Sequence, residues 1–332
     1  MTVVVPTLAG DARLLECLRS LEEQTLEGVQ VVVVDNSGCG AIHRLGAARY
    51  RFRLIENREN AGFGAAVNQG WRLAPAEYLA TLNDDAVADR RWLERAVEEL
   101  EKTPRAGMIA PRIMLLGTGL VDSAGMLMGR DGSSKQRGHG EPAERYAKKE
   151  EALLPSGCAA VYRGAMIEET GLFAEDFFLY CEDTDLGLRG RWAGWTCVYV
   201  PESVVEHGYS RSAGRASERK AWFVERNRLR VAVRCLPAGW LLASPFWTAW
   251  RYLWHAALML GGKGKAAEYR DGGGSGWRLA LVVLKAHADV VRNLPRLVRE
   301  RRAIRRRSKV RAGEFARALR RHGIAAREVA AQ

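Results

Sequence analysis

Runs of consecutive apolar residues, not strict alternation, dominate the first third of the chain. Thr2–Pro6 holds three valines in a row, Val29–Val34 five apolar residues in six, and Tyr78–Leu82 is apolar but for Thr81. Short β-branched runs bounded by turn residues predict strands buried on both faces. Between the first two, Leu14, Leu15, Leu18 and Leu21 recur at helical spacing, which predicts an amphipathic helix. A strand, helix and strand this close together imply a right-handed βαβ unit, so the residues that end the two strands, Thr7 and Asp35, emerge on one edge. A third strand is expected at Tyr50–Ile55, with a helix to about Arg72.

Further along, Met108–Val121 reads as strand-like. Gly125–Glu151, rich in Gly, Arg, Lys and Glu with little periodicity, is expected to be a long surface excursion, since structureless stretches of that length are often binding loops. Leu154–Tyr162 is expected as a strand, Arg163–Glu169 as a helix, and Thr196–Val200 as a strand. After Arg234 the composition shifts. Ser244-Pro245 has the form of an N-cap followed by a helical Pro, and Gly261-Gly262 closes that helix; a second is expected from Ser275 to Asn293. The fold class is α/β: a mostly parallel, Rossmann-like central sheet flanked by helices over residues 1–235, then a helical, basic appendage over 236–332.

Of the 332 residues, 47% are hydrophobic and 27% charged, ordinary for a globular protein with a sizeable core. The charge of +12 is unevenly placed. From Arg292 to Arg321 thirteen Arg and Lys face two acids, so eleven of the twelve excess positive charges lie there. The six cysteines show no CxxC pair and no zinc spacing, which points to free thiols in a reducing compartment. No basic segment and cleavage site precede the first strand, so a signal peptide is not expected.

The candidate chemistry gathers where strands end, since ligands of open α/β sheets sit outside the carboxyl ends of their strands. Tyr78–Leu82 runs into Asn83, Asp84 and Asp85. Two acids there can hold Mg²⁺ or Mn²⁺, whose other ligands would be phosphate oxygens; the alternative is a turn in which Asp85 or Asp89 caps the next helix. Asp35 can accept hydrogen bonds from a base or ribose, or simply start the turn at Asn36–Gly38. Gly62 and Gly64, following Asn60, allow a ligand to approach the backbone at a helix N-terminus. Glu182, Asp183 and Asp185 fall in the first turn of a helix, where the dipole alone favours acids, but three acids behind Phe177, Phe178 and Tyr180 also have the character of a site wall.

Val3–Thr7, Val31–Asp35, the Asn60-Ala-Gly-Phe-Gly64 segment with Asn68 and Gly70, and the Asn83-Asp84-Asp85 group together resemble the family-2 glycosyltransferases of the GT-A fold, in particular their bacterial rhamnosyltransferase-like branch. The resemblance covers roughly residues 2–235 and rests on five motifs in order. It implies an inverting transfer of a sugar, with dTDP-rhamnose as the best guess for the nucleotide-sugar donor, to a hydroxyl of a lipid-linked or polysaccharide acceptor in cell-envelope glycan synthesis. It also implies roles. Pro6, Thr7, Asp35, Asn60, Gly62, Asn83 and Asp84 would hold the nucleotide-sugar, Asp85 with His207 a Mg²⁺ or Mn²⁺ ion, Asp183 would be the catalytic base, and Glu182 would hold the acceptor or orient the base. Tyr209-Ser210-Arg211 is placed to reach the diphosphate. The chain departs from the family pattern in carrying Asn83 where the first acid of Asp-x-Asp usually stands, and Thr7–Gly10 where Tyr, Asn or Glu is common.

In the appendage, Trp247, Trp250, Trp254 and Leu258 are spaced 3, 4 and 4 apart, beside the Arg-rich stretch Arg296–Arg311. The apolar run is too short and interrupted for a membrane span, but tryptophans on one face beside a polybasic segment suit a helix lying in the interface of an anionic membrane. The expected place is the cytoplasm, peripheral on the inner membrane face. Alternatively these helices pack on the catalytic domain or on a second copy. Nucleic acid is an unlikely partner, because no recognition motif accompanies the basic tail. Two other classes stay open: a non-catalytic nucleotide-sugar-binding scaffold on the same fold, and a dinucleotide-dependent dehydrogenase, which would want a GxGxxG that Thr7–Asp11 does not supply.

Overall fold

A computed structural model of the chain describes residues 1–8, 11–208, 217–262, 264, 269 and 275–331. The valine runs form β1 (Thr2–Thr7) and β2 (Gln30–Asp35), joined by α1 (Ala12–Glu22); β3 (Arg53–Glu56), α2 (Phe63–Leu73) and β4 (Tyr78–Leu82) follow. β3, β2, β1 and β4 lie side by side in that order, all parallel. Alternate valines of each strand feed different cores. Val4, Val32 and Val34 face one side with Trp71 and Leu79, and Val3, Val5, Val31 and Val33 the other with Leu14, Leu18 and Trp92, as the period of a strand requires. α2 presses close to β1, where a side chain at Gly70 would run into Val4 at 2.6 Å.

β5 (Ala86–Ala88) and α3 (Trp92–Lys102) lead to β6 (Ala106–Leu115). β7 (Val121–Ser123), β8 (Met126–Met128), β9 (Ser134–Gln136), β10 (Glu150–Ala152), β11 (Ala159–Arg163), α4 (Gly164–Thr170), α5 (Glu182–Trp192) and β12 (Thr196–His207) complete the first part of the chain. The sheet continues from β4 through β11, β6 and β12 to β10. β11 is antiparallel to both neighbours, while β12 is parallel to β6. The sheet is therefore mostly parallel, with one reversed strand in its middle.

The stretch Gly125–Glu151 is not a surface excursion. Met126, Met128, Asp131 and Ser133 are buried, and β8 pairs with β9 while β10 pairs with β12. Its polar composition misleads because its charges are paired inside the fold: Asp131 bonds Arg251 at 2.6 Å, more than a hundred residues away.

The C-terminal helices are α6 (Glu218–Cys235), α7 (Ala238–Leu260), α8 (Gly276–Arg292), α9 (Leu294–Arg306), α10 (Ala312–Arg321) and α11 (Ala326–Ala331). α7 starts six residues before the expected Ser244 and runs through Pro245. Proline cannot donate to the Leu241 carbonyl, one turn back; the Ser244 hydroxyl donates to it instead, at 2.8 Å. Of the four residues expected on one face of this helix, only Trp250 is exposed. Trp247 lies under the Arg130 guanidinium and Trp254 near that of Arg327. The exposed apolar residues of α7 are Leu242, Phe246, Trp250, Leu253 and Leu260, and those of α8 are Trp277, Leu281, Leu284 and Val291. Part of the arginine run packs inward. Arg301 and Arg305 donate to the last carbonyls of α6 and to Leu236, where a helix end favours cations. Phe315 stacks on Trp192 at 3.8 Å, so α10 shares the main core.

Candidate active site

Strand register assembles the first cluster. β5 pairs with β12 so that His207 lies opposite Ala86, which sets its ring against Asp85; Nε2 is 3.2 Å from Asp85 Oδ1. β7 pairs with β6 and brings in Asp122, whose Oδ2 is 2.8 Å from His207 Nδ1. The other oxygen of Asp122 is 3.0 Å from Nδ1 of His139. Asn83 Nδ2 is 3.3 Å from His207 Nε2, and Cys158 also bears on the ring. Thr7 donates its hydroxyl proton to Asp84 at 2.6 Å.

Charges follow from these partners. Burial works against a charged His207, but Cys158, Asp122 and Asp85 around it prevail and raise its pKa. Burial likewise opposes ionised Asp85 and Asp122, yet their histidines hold both below the usual carboxylate range. Asp84 is pushed up, by burial and by the neighbouring Asp85 charge, against the Thr7 bond. Asp122 and His139 escaped sequence reasoning because a lone acid and a lone histidine in a polar stretch carry no signal. Neither Asp85 nor Asp89 caps α3, whose N-cap position is Arg91 with no side-chain cap bond; the Asp89 carboxylate instead accepts from the Arg91 N–H in the turn before it.

The loops that follow β2 and β3 are tied together by side-chain amides. Asp35 accepts from the backbone N–H of Ser37 and Ile42, so it does start the turn. Asn57 bridges Asn36 and Gln69, and Asn60 accepts from the Gly62 N–H. Gly62 has φ +88°, and a side chain there would strike the Phe178 carbonyl at 2.5 Å; only glycine fits. Pro6 lies at the end of β1 beside Val34. Ala9-Gly10 and Tyr209-Ser210-Arg211 lie outside the described residues.

The second acidic cluster opens α5. Asp183 accepts from the Gly157 N–H at 2.8 Å, the Thr184 N–H at 2.6 Å and the Thr184 hydroxyl at 3.2 Å. Glu182, 6% exposed, has no hydrogen-bond partner at Oε2 among the described residues. Burial raises both, and the Asp183 charge helps push Glu182 up to about 8. The two carboxyls titrate together, and the bonds to Asp183 favour its charged form. Burial thus disfavours the doubly charged pair, and the bonds to Asp183 bias the remaining charge toward it. Asp185 is different. Fully buried between Arg189 at 2.7 Å and Arg234 at 2.8 Å, it links α5 to α6 and does not face the site.

Ahead of this pair the backbone is strained, with φ of 64°, 70° and 65° at Phe178, Tyr180 and Cys181. Non-glycine residues hold such angles only where their surroundings fix them. Here α6 does so: the fully buried Asn227 amide reaches the carbonyls of Phe177, Leu179 and Tyr180 at 2.8–2.9 Å, and Arg226 donates to Phe177 O.

One dipeptide joins the two clusters. The antiparallel pairing of β11 with β4 carries Gly157-Cys158 past the end of β4, where Cys158 O accepts from the Asn83 N–H at 2.8 Å. Cys158 borders His207 and Gly157 borders Asp183. The metal candidates and the base candidate thus stand on either side of a single turn. Asp85 and His207 offer one carboxylate oxygen and one imidazole nitrogen, with His207 oriented from behind by Asp122 as in carboxylate–histidine–metal sites. Among the described residues no three His, Cys, Asp or Glu form a metal-holding group. A divalent ion there would take its remaining ligands from phosphate and water, which suits Mg²⁺ or Mn²⁺.

A parallel nucleotide-type half, one reversed strand, and acids at the ends of β4 and the start of α5 define the GT-A fold of glycosyltransferases. Residues 2–171 match the family described as Glycosyl transferase family 2, and the chain belongs to that family. It is 28% identical over 239 residues to N-acetylglucosaminyl-diphospho-decaprenol L-rhamnosyltransferase of Mycobacterium tuberculosis, covering 65% of this chain and 78% of the relative. It is 26% identical over 176 residues to the putative glycosyltransferase EpsH of Bacillus subtilis, covering 51% and 48%. Among solved structures, mannosyltransferase PcManGT from Pyrobaculum calidifontis, in complex with GDP-Man and Mn²⁺, superposes with a TM-score of 0.55 at 20% identity, covering 91% of this chain and 84% of that one. GalNAc-T7 with UDP, GalNAc and Mn²⁺ gives 0.58 at 14% identity, covering 72% of this chain and 48% of that one.

Proposed function

We propose that this glycosyltransferase moves a sugar, rhamnose from dTDP-rhamnose, onto a hydroxyl of a lipid-linked acceptor with inversion at the anomeric carbon, in the building of a cell-envelope glycan. The observation that carries this reading is Asp183, held by the Gly157 and Thr184 N–H groups, set across the Gly157-Cys158 turn from Asp85 and His207. The likeness to the mycobacterial rhamnosyltransferase supports the choice of sugar and acceptor. In this reading residues 1–235 are the catalytic unit. Thr7, Asp35, Asn60, Gly62, Asn83 and Asp84 hold the nucleotide-sugar, with Pro6 shaping the strand end.

Asp183 accepts the proton of the acceptor hydroxyl as it attacks, a general-base role. A carboxylate with its pKa raised by burial is better matched to that task near neutral pH than a free one. Glu182 keeps its proton and leaves the negative charge on Asp183. Asp85 and His207 hold Mg²⁺ or Mn²⁺, which when bound neutralises charge on the departing nucleotide diphosphate. Among the described residues no helix is long and apolar enough to cross a membrane. The exposed apolar stripes of α7 and α8, with the basic α9, support a peripheral place on the inner face of the cell membrane.

The test is nucleotide release with Mg²⁺ or Mn²⁺ from dTDP-rhamnose, UDP-GlcNAc, UDP-galactose and GDP-mannose, by wild type and Asp183→Asn. Release from dTDP-rhamnose that depends on the metal, with turnover lost but donor binding kept in the variant, is the expected result. Release indifferent to Asp183 removes it as the base. Donors that neither turn over nor bind overturn the reading.

A further inference from the structure

We propose that the first turn of α6, built around Arg219 and Lys220, is the subsite for the diphosphate of the acceptor. This rests on the proposed transfer to a lipid-linked acceptor and deepens it.

The first observation is position. The Arg219 guanidinium lies 5.7 Å from the ring centres of both Phe178 and Phe223, and these two rings stack at 5.2 Å. The Phe178 carbonyl accepts from the Phe63 N–H of the donor loop. The Phe63 ring lies on the side of Gly157, whose N–H bonds Asp183, where a Cβ would stand 3.5 Å from Phe63 Cε1. Arg219 and the base therefore flank the same Phe178–Phe63 junction. Lys220 Nζ is 5.6 Å from the Tyr180 ring centre, in the same strained loop.

The second observation is charge. Arg219 is exposed, and no carboxylate among the described residues pairs with it. The acid beside it, Glu218, is engaged by Arg278 at 3.4 Å and by the Tyr269 hydroxyl at 2.8 Å. Arg219 thus adds an exposed guanidinium beside the Glu218–Arg278 pair. Aromatic rings on one side and guanidinium groups on the other suit a sugar joined to a diphosphate.

The third observation is where the lipid would come from. Arg278 is one residue from Trp277, which is 61% exposed and begins the apolar stripe of α8. The stripe thus starts beside the turn that carries Arg219. A prenyl chain along it would bring its diphosphate to Arg219 first, and the attached sugar on toward Phe178 and Asp183.

The experiment fills the donor pocket with dTDP and Mn²⁺ and measures binding of two probes by calorimetry: GlcNAc linked through diphosphate to farnesol, and octyl β-GlcNAc, which lacks the diphosphate. Sugar transfer to each is measured in parallel. Arg219→Gln is expected to weaken the diphosphate probe roughly tenfold, the weight of one charge-assisted phosphate contact, and to leave octyl β-GlcNAc and the donor KM unchanged. Arg219→Lys is expected to restore part of the loss. Equal affinity of wild type and variant for the diphosphate probe overturns the subsite while leaving the transfer reading intact. If wild type neither binds nor glycosylates either probe, the transfer reading itself falls, and the subsite with it. A third arm adds vesicles of phosphatidylglycerol. If the variant loses vesicle binding but keeps the farnesyl probe, the patch serves bulk lipid headgroups and the proposal is wrong.

Discussion

The site contains two pairs of consecutive acids, and they have been given opposite treatment. Asp84-Asp85 meets a histidine, itself held by Asp122, and Asp85 stays fully charged in a buried place. Among the described residues, Glu182-Asp183 meets no cation at hydrogen-bond distance. Asp183 is held by N–H and hydroxyl donors, Glu182 Oε2 has no partner among the described residues, and burial with the Asp183 charge pushes Glu182 toward its neutral form. Two adjacent carboxyls in a low-dielectric site cannot both ionise without a counterion. A carboxylate kept charged beside an imidazole is suited to gather a metal, which takes the place of the imidazole's proton; a pair supplied only with dipoles is suited to exchange a proton. Neighbours, not the dipeptides themselves, divide the labour.

The largest break in this comparison comes from Asp183→Asn. Removing a general base costs about 10²–10⁴ in rate, so kcat should drop by that range. Mn²⁺ affinity, followed by electron paramagnetic resonance of the free ion, should stay at the wild-type value. An equal loss of metal binding would mean that the two pairs act as one site.

The reverse break is Asp122→Asn. Loss of the carboxylate behind a ligating histidine typically costs about 10–100-fold in metal affinity. Mn²⁺ binding should weaken by that much, and the apparent pKa at Asp183, read from the kcat profile at saturating Mn²⁺, should not move. Asn227→Ala should do the opposite. Freeing the strained loop ahead of α5 misplaces the base, with roughly a ten- to hundredfold loss in kcat and Mn²⁺ affinity unchanged. If Asn227→Ala and Asp122→Asn give the same profile, neither residue positions one pair selectively.

The first pair was far more legible in the sequence than its surroundings. β1, β2 and β4 announce themselves as apolar runs, and the acids at their ends follow from the topology of parallel sheets. Asp122 and Asn227 gave no such sign, because each works through partners 85 and about 50 residues away. α6 hid for the same reason. Glu225, Arg226, Arg228, Arg230 and Arg234 look like a solvated face, yet all are buried: Asp131, Asp176, Asp185 and Asp289 from distant segments pair with Arg228, Arg230 and Arg234, Arg251 pairs with Glu225, and Arg226 donates to the Asp176 and Phe177 carbonyls. A helix read by hydrophobic period alone cannot disclose such pairing. Pro245 misled in a similar way, its missing donor replaced by the Ser244 hydroxyl.

The smallest expected effect concerns Glu182 and separates its two imagined roles. Its carboxyl is pushed up to about 8 from an ordinary value of 4.5. An acid whose pKa is raised by folding favours the folded state fully below the unfolded value, and that contribution drains away as pH rises through the folded one. Wild type should therefore lose stability between about pH 4.5 and 8, and Glu182→Gln, which cannot ionise, should lose less. The thermal midpoint of the variant relative to wild type should rise by a few degrees from pH 5 to pH 8. Near pH 7 its kcat should stay within a few fold of wild type, because Gln imitates the protonated acid, and any alkaline limb near pH 8 should disappear. A large loss of kcat at pH 7, with the stability difference still present, would show that Glu182 touches the acceptor directly. A midpoint difference that is flat with pH would show that the proton was never there.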